Sequence, residues 1–349
     1  MRLGLSLGYW GAAGDLPKNL ALVREAERLG YHVVWAAEAY GSDAATTLAW
    51  LAAQTSSIGL GAGVFQIPGR SPALTAMTAT SLDVMSGGRL RLGLGVSGPQ
   101  VSEGWHGVRF ARPLARTREY VEVVRAAMSR QPLHHDGEFY PLPLPGGPGK
   151  PLKLAVRPVR PRIPIYLAAV GPRNLTLAGE IADGWLAVFY APAYAPQLLE
   201  AVRAGRGERG LDGFDVVATV PAVVGPDVSA CADPVRGYAA LYLGGMGSRE
   251  QNFYHRLAVR MGYAEQADAV QQHYLSGRYQ AAHAAVPERF IDATSLLGPP
   301  DRIAGRLTEY AAAGVTTLSI TPYGENLEAR LHVLRVVAEA ADTAGVLTR

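Results

Sequence analysis

Apolar positions along the first hundred residues switch between two periods. Leu3, Leu5 and Leu7 alternate with Gly4, Ser6 and Gly8, the period of a strand. Asp15-Leu16-Pro17 then opens a helix that carries Leu20, Val23 and Leu29 and stops at Gly30. A strand is expected over 33–37, a helix over 43–54 and a strand over 58–65. Ser71-Pro72 starts a helix carrying Leu74, Met77 and Leu82, and Gly87-Gly88 ends it before a strand over 90–96. The helix–glycine–strand junction recurs at Ala182-Asp183-Gly184-Trp185 and at Ala313-Gly314-Val315.

Repeated units of this kind make a parallel sheet with right-handed crossovers. About eight strands in one chain without a linker point to an α/β fold, a (β/α)8 TIM barrel with insertions. The whole chain, 1–349, is then one domain, and a doubly wound sheet is the alternative. Two segments break the rhythm, at about 132–163 and 244–290. The first is rich in Pro and Gly over 141–164 and reads as a hairpin or a loop excursion. The second is helical in pattern, lacks a clear strand and carries Phe253, Tyr254, Tyr263 and Tyr274. Insertions of this length serve as lids, pocket walls or oligomer contacts.

No charged residue falls between Ala44 and Gly69, a length that raises the question of a membrane span. Gln54-Thr55-Ser56-Ser57 divides the stretch with a polar turn, so a buried helix followed by a buried strand fits better. The net charge of +3, from 33 basic and 30 acidic residues, argues against a nucleic-acid partner. A single cysteine, Cys231 in a loop-like Ser-Ala-Cys-Ala-Asp-Pro stretch, suits a reducing compartment, and a cytoplasmic protein is expected. No metal-ligand spacing and no nucleophile elbow is present in the sequence.

Glycine stands out at 40 of 349 residues. Gly59, Gly61 and Gly63 alternate with Ile58, Leu60 and Ala62, and Gly93 and Gly95 alternate with Leu92, Leu94 and Val96. Glycine weakens a strand, so its placement on one face implies that something needs the room. That something is either a bulky side chain from another strand or a flat ring lying against the backbone. Gly93-Leu94-Gly95-Val96-Ser97-Gly98 spells a dinucleotide fingerprint, but it lies within a strand and is followed by Pro99 rather than a helix opening. Ala168-Ala169-Val170-Gly171-Pro172-Arg173 is a better anion site, because it leaves a strand and enters a helix whose first N–H groups face outward. A purely structural helix cap is the competing reading.

The ordered motifs resemble the luciferase-like flavin and deazaflavin oxidoreductases, in the branch using coenzyme F420 that includes methylenetetrahydromethanopterin reductase. The segments that carry the resemblance are Leu60-Gly61-Ala62-Gly63-Val64, Ser71-Pro72-Ala73, Leu82-Asp83-Val84-Met85-Ser86-Gly87-Gly88-Arg89 and Leu92-Gly93-Leu94-Gly95. Further on come Ala168-Ala169-Val170-Gly171-Pro172, Ala178-Gly179-Glu180-Ile181-Ala182-Asp183-Gly184 and Gly298-Pro299-Pro300-Asp301.

The resemblance implies a barrel with the ring cofactor at its C-terminal face and a non-prolyl cis peptide at Gly63-Val64. It implies cofactor contacts from Glu38, Gly63, Val64, Gln66, Ser97, Gly98, Pro99 and Gln100. The phosphate side would fall to Ala168, Ala169, Gly171, Pro172 and Arg173. The sequence departs from the family where relatives carry Asp-His, since Glu38-Ala39 stands there, so sugar-phosphate oxidation is not expected. Glu38 is the matched acidic group, the candidate catalytic residue, able to bind cofactor or substrate or to donate a proton. Glu103, His106, Tyr190 and Tyr323 are further candidates whose competing reading is packing. The expected function is F420-dependent hydride transfer to or from a small organic substrate by a homodimer. An FMN-dependent monooxygenase of the same fold and a non-catalytic flavin-binding protein are the alternatives.

Overall fold

The computed structural model describes residues 1–8 and 15–348. The chain runs β1 (Arg2–Gly8), α1 (Asp15–Arg28), β2 (Val33–Ala36), α2 (Ala44–Gln54), β3 (Gly59–Ala62), β4 (Phe65–Gln66), α3 (Pro72–Met85) and β5 (Leu90–Gly95). It continues through α4 (Pro99–Gly104), α5 (Pro113–Met128), β6 (Ile165–Ala168), α6 (Pro172–Ile181), β7 (Gly184–Val188), α7 (Ala195–Arg206) and β8 (Asp215–Val224). A helical stretch follows: α8 (Val228–Ala240), α9 (Phe253–Arg260), α10 (Ala264–Leu275), α11 (Tyr279–Ala285) and α12 (Glu288–Ala293). The chain ends with β9 (Leu296–Gly298), α13 (Pro300–Ala312), β10 (Thr317–Pro322) and α14 (Leu327–Thr343).

Each barrel strand pairs in parallel with its neighbours, and β10 bonds both β1 and β8, which closes the ring. β4 continues β3 after an interruption, and β9 only extends the far end of β8, so the described strands make a closed (β/α)8 barrel. The strand expected to run unbroken over 58–65 is split at Gly63-Val64, whose peptide bond is cis.

The outward faces of the strands pack on the helices. Leu3, Leu5 and Leu7 all join that core. In α3 the apolar pattern misleads. Leu82 is buried, but Leu74 is 44% and Met77 is 53% exposed, while Thr75, Ala76, Ala79, Thr80 and Asp83 face inward. Small residues allow α3 to sit close to the barrel, and Leu74, Met77, Val84 and Met85 point away. The motif ending at Arg89 is a clasp: Arg89 donates to the carbonyls of Ala52 (3.1 Å), Thr55 (3.0 Å) and Ile58 (2.7 Å). Glu27 accepts the amides of Ser56, Ser57 and Ile58 in the same turn. Together they satisfy the end of α2 before β3 begins.

Two other expectations shift, and the third segment follows the loop alternative. Cys231 lies inside α8 and is buried, because the helix accommodates Pro234 beyond its first turn. The helical excursion begins at Val228, ahead of the expected 244, and no strand interrupts it before β9. The 141–164 segment is a loop that carries a cis Leu142-Pro143 bond; the His135–Leu142 bridge, the Leu133 amide on the Leu152 carbonyl (2.9 Å) and Arg160 on Asp83 (2.7 Å) tie it to the rest. Among the described residues no helix is long and apolar enough to cross a membrane.

Candidate active site at the C-terminal mouth of the barrel

The barrel interior is full. Val33, Trp35, Tyr166, Leu186 and Val217 form a separate buried cluster there, capped by Val64 and Ala168. The Trp35 and Tyr166 rings meet edge to face at 5.2 Å. A Cβ on Gly61 would lie 2.2 Å from the Trp35 ring, and one on Gly93 would lie 2.9 Å from Leu186 and 1.9 Å from the Ala62 carbonyl. On Gly59 it would sit 2.0 Å from the Arg91 guanidinium. The alternating glycines of β3 and β5 therefore make room for side chains of neighbouring strands, and the reading of a barrel cleared for a ring fails at these three positions.

Below this layer, at the N-terminal ends, the plug becomes polar. Arg2 pairs with Asp215 at 2.9 Å, Tyr166 donates to the same carboxylate at 3.0 Å, and Arg2 and Arg91 both point at the His32 ring. Burial, reinforced by Arg91 and then Arg2, holds the His32 ring down at about 4. That end is built for stability.

The C-terminal mouth is different. Glycines there border open space: a Cβ on Gly8 or Gly171 would meet nothing within 4 Å among the described residues, and one on Gly98 would meet only the Gln100 side chain at 3.6 Å. Three non-glycine residues adopt positive φ just past strand ends, Ala39 after β2 (138°), Ser97 after β5 (59°) and Phe189 after β7 (53°). Strained backbone gathered at one rim is the mark of a functional site.

Between β2 and β4 the rim is tightly bonded. Glu38 accepts from Arg70 at 2.9 Å and from the Gln66 amide at 3.1 Å. Arg70 also pairs with Asp43, which caps α2 through the Thr46 amide at 2.7 Å. Burial alone would raise the Asp43 carboxyl, but Thr46 and Arg70 together hold it below the usual carboxylate range. Burial likewise opposes the Arg70 charge, and Glu38 and Asp43 outweigh it. The Gln66 side chain donates to the Ala39 carbonyl, while its Oε1 is buried with no partner among the described residues. An orphaned acceptor beside a backbone break is an invitation to a donor from a ligand.

The other expected residues fall as follows. Val64 leans over the interior cluster toward Gly95, where a Cβ would lie 2.7 Å from it, so Val64 and Ala168 form the floor of the mouth. Ser97 and Gly98 lead into α4, where Pro99 does open a short helix, with Gln100 exposed on it. Ala169 is buried and its carbonyl accepts from Trp185 at 2.8 Å, so it supports the site from behind. Gly171 caps α6, but its carbonyl already takes the Asn174 and Leu175 amides, leaving the Arg173 amide of that first turn without a partner among the described residues. Sequence reasoning missed Arg260: from α9 it reaches the Val170 carbonyl at 3.1 Å, one residue ahead of the Gly171 cap. Its only signal was an arginine in a helical insertion.

Of the further candidates, Tyr190 is buried and bonded to the Ala313 carbonyl. Glu103 holds the Phe110 amide at 2.9 Å, and His106 packs under Gly69. A cleft of about 460 Å³ opens beside α4, lined by Glu103, Gly107, Arg109, Phe110 and Ala111, apart from the expected cofactor residues.

Across the mouth from Glu38 stands an aromatic wall. Phe189 touches Tyr238 (5.4 Å), Tyr242 (5.6 Å), Tyr254 (6.2 Å) and Phe290 (5.2 Å). Tyr263 joins through Phe290, whereas Tyr274 stacks on Tyr279 and fills the space left by Gly244 and Gly245.

A closed parallel barrel with a floor of Val64 and Ala168, a cis Gly63-Val64 break and strained strand ends matches a known group. The family model for luciferase-like monooxygenases matches residues 5–317, and the chain belongs to that family. It is 44% identical over 331 residues to a Mycobacterium tuberculosis protein named as a coenzyme F420-dependent oxidoreductase, covering 92% of this chain and 95% of that one. It is 31% identical over 302 residues to 5,10-methylenetetrahydromethanopterin reductase of Archaeoglobus fulgidus, covering 84% and 86%. The solved coenzyme F420-dependent tetrahydromethanopterin reductase from Methanopyrus kandleri superposes with a TM-score of 0.82 at 25% identity, covering 97% of each chain.

Proposed function

We propose that this chain is an F420-dependent oxidoreductase that moves a hydride between the deazaflavin and a small organic substrate. The observation that carries the reading is the 44% identity, along nearly the whole of both chains, to a protein named for that cofactor. The geometry supports it. Open glycines let a ring approach the backbone, and the unpartnered Gln66 Oε1 offers an acceptor to a ring N–H. When bound, the deazaflavin supplies a carbon that gives or takes hydride.

The protein's own part is positioning. Val64 and Ala168 carry one face of the ring, and Ser97, Gly98, Pro99 and Gln100 flank it. Gly171, Pro172 and Arg173, joined by Arg260, take the anionic side. Glu38 holds Arg70 and the Gln66 amide and so fixes the bulge against which the ring rests; both its oxygens already accept hydrogen bonds. The aromatic wall excludes water from the facing side.

The active form is a homodimer: Leu74, Met77, Val84 and Met85 expose an apolar face along α3 that a second copy would cover. The one buried thiol suits a reducing, cytoplasmic setting.

The test is turnover. Reduced F420 is mixed with a panel of imines, enones and aldehydes, and the return of the oxidised deazaflavin spectrum is followed. Oxidation that depends on both protein and acceptor is expected. Binding without turnover across the panel would favour a non-catalytic flavin-binding protein. Oxygen-dependent turnover with reduced FMN alone would favour the monooxygenase.

A further inference from the structure

Hydride transfer to a C=O, C=N or conjugated C=C bond needs a proton for the neighbouring atom. Glu38 is occupied by two donors, and Ala39 beside it carries no titratable group. The rim on the far side of β1 from Glu38, at the end of β10, supplies a phenol. β10 ends at Pro322, and the Tyr323 amide continues its ladder to the Ala222 carbonyl at 3.0 Å. Strand alternation therefore holds to Tyr323. Thr317 faces the barrel interior, where its hydroxyl reaches Asp215 at 2.8 Å, and the same parity carries through Ser319 and Thr321 to Tyr323 at the mouth. The Tyr323 ring is half-buried and packs against the core. Its hydroxyl meets no hydrogen-bond partner among the described residues. Tyr238 lies within electrostatic reach of it and pairs with Tyr242, so Tyr323 stands at the edge of the aromatic wall.

Resting on the oxidoreductase reading, we propose that Tyr323 is the proton donor, acting on a planar conjugated carbonyl or imine seated against the half-buried Tyr238, Tyr242 and Tyr254. The electrophilic carbon takes the hydride and its two electrons from the reduced deazaflavin. The π bond opens toward oxygen or nitrogen, and that atom takes the Tyr323 proton as the O–H bond breaks. Solvent then re-protonates the phenolate. Burial keeps the Tyr323 phenol protonated far above neutral pH, with its titration moved up to about 12.

The test uses 4-nitrophenolate, a planar conjugated oxyanion, as a probe that binds without reacting. Its absorbance is followed on titration into the full-length protein, with and without F420. Wild type should bind it. Tyr323→Phe, which keeps the ring and removes only the hydroxyl, should weaken binding about tenfold or more, as loss of a hydrogen bond to an anion does. Thermal midpoint and F420 fluorescence quenching should not change. Tyr310→Phe, which removes a fully buried phenol elsewhere in the core, should change nothing. Equal affinity in Tyr323→Phe, or no binding by wild type, would overturn the proposal. Failure of F420 quenching alone would overturn the cofactor reading, while a Tyr323-dependent nitrophenolate signal without F420 would still support the donor.

Discussion

Gly61→Ala tests what the interior glycines are for. The added methyl would lie 2.2 Å from Trp35 Cε3 and 2.6 Å from Cδ2, against an ordinary carbon contact of about 3.5–4.0 Å. The indole must retreat by more than an ångström, yet Tyr166 stands edge-on to it at 5.2 Å and the cluster has no slack. Overpacking of this kind costs about 1–3 kcal/mol. The strand gains a little from losing glycine flexibility, which offsets about 0.5–1 kcal/mol of that. A net loss of about 1–2 kcal/mol is expected, measured as a lower urea midpoint at unchanged slope. In a Trp35→Leu background the methyl has room, so the same substitution should be neutral or stabilising, giving a coupling of at least about 1 kcal/mol in the double-mutant cycle. F420 affinity should hardly move. If Gly61→Ala left stability unchanged and abolished cofactor binding, the room at Gly61 would belong to a ligand and the packing explanation would fall.

Other substitutions probe separate layers. His32 has its folded value pressed down to about 4, so the neutral ring favours folding; that stability is present above about 6.5 and is lost as pH falls toward about 4. Full linkage would give about 3 kcal/mol, and partial solvation of the ring reduces this to about 1.5 kcal/mol. Urea midpoints at pH 7 and 4.5 should therefore differ less in His32→Gln than in wild type, and equal differences would refute the assignment. Glu38→Gln should weaken F420 binding severalfold and leave the pH profile of turnover in place; abolished turnover with unchanged affinity would make Glu38 the proton donor after all. Arg70→Met leaves Glu38 and Asp43 without their shared cation and should cost about 3 kcal/mol, read from the urea midpoint. Met77→Glu should convert a dimer to monomer in sedimentation without changing F420 affinity per chain, and an unchanged mass would remove α3 as the interface.

The periodicities made the barrel legible because each unit has its own local signals: the helix stop at Gly30, the cap at Ser71, the junction at Asp183-Gly184. What they could not show is which face of an element points where. Leu74 and Met77 read as core and are exposed, since α3 meets the barrel through alanines and threonines whose value is small size, not hydrophobicity. Alternating glycines show that space is needed but not what fills it; Trp35, Arg91 and Leu186 come from strands far away in sequence. Glu38 looked like an acid because its partner Arg70 lies beyond the next strand. Tyr323 carried no motif, and only strand parity brings it to the mouth.

Which ring the mouth accepts decides the cofactor, and a fluorescence titration with F420, FMN and FAD answers that directly. Saturable quenching of F420 by the full-length protein, with FMN and FAD left at their free-solution fluorescence, is the predicted result. Tight binding of FMN with no response from F420 would contradict it.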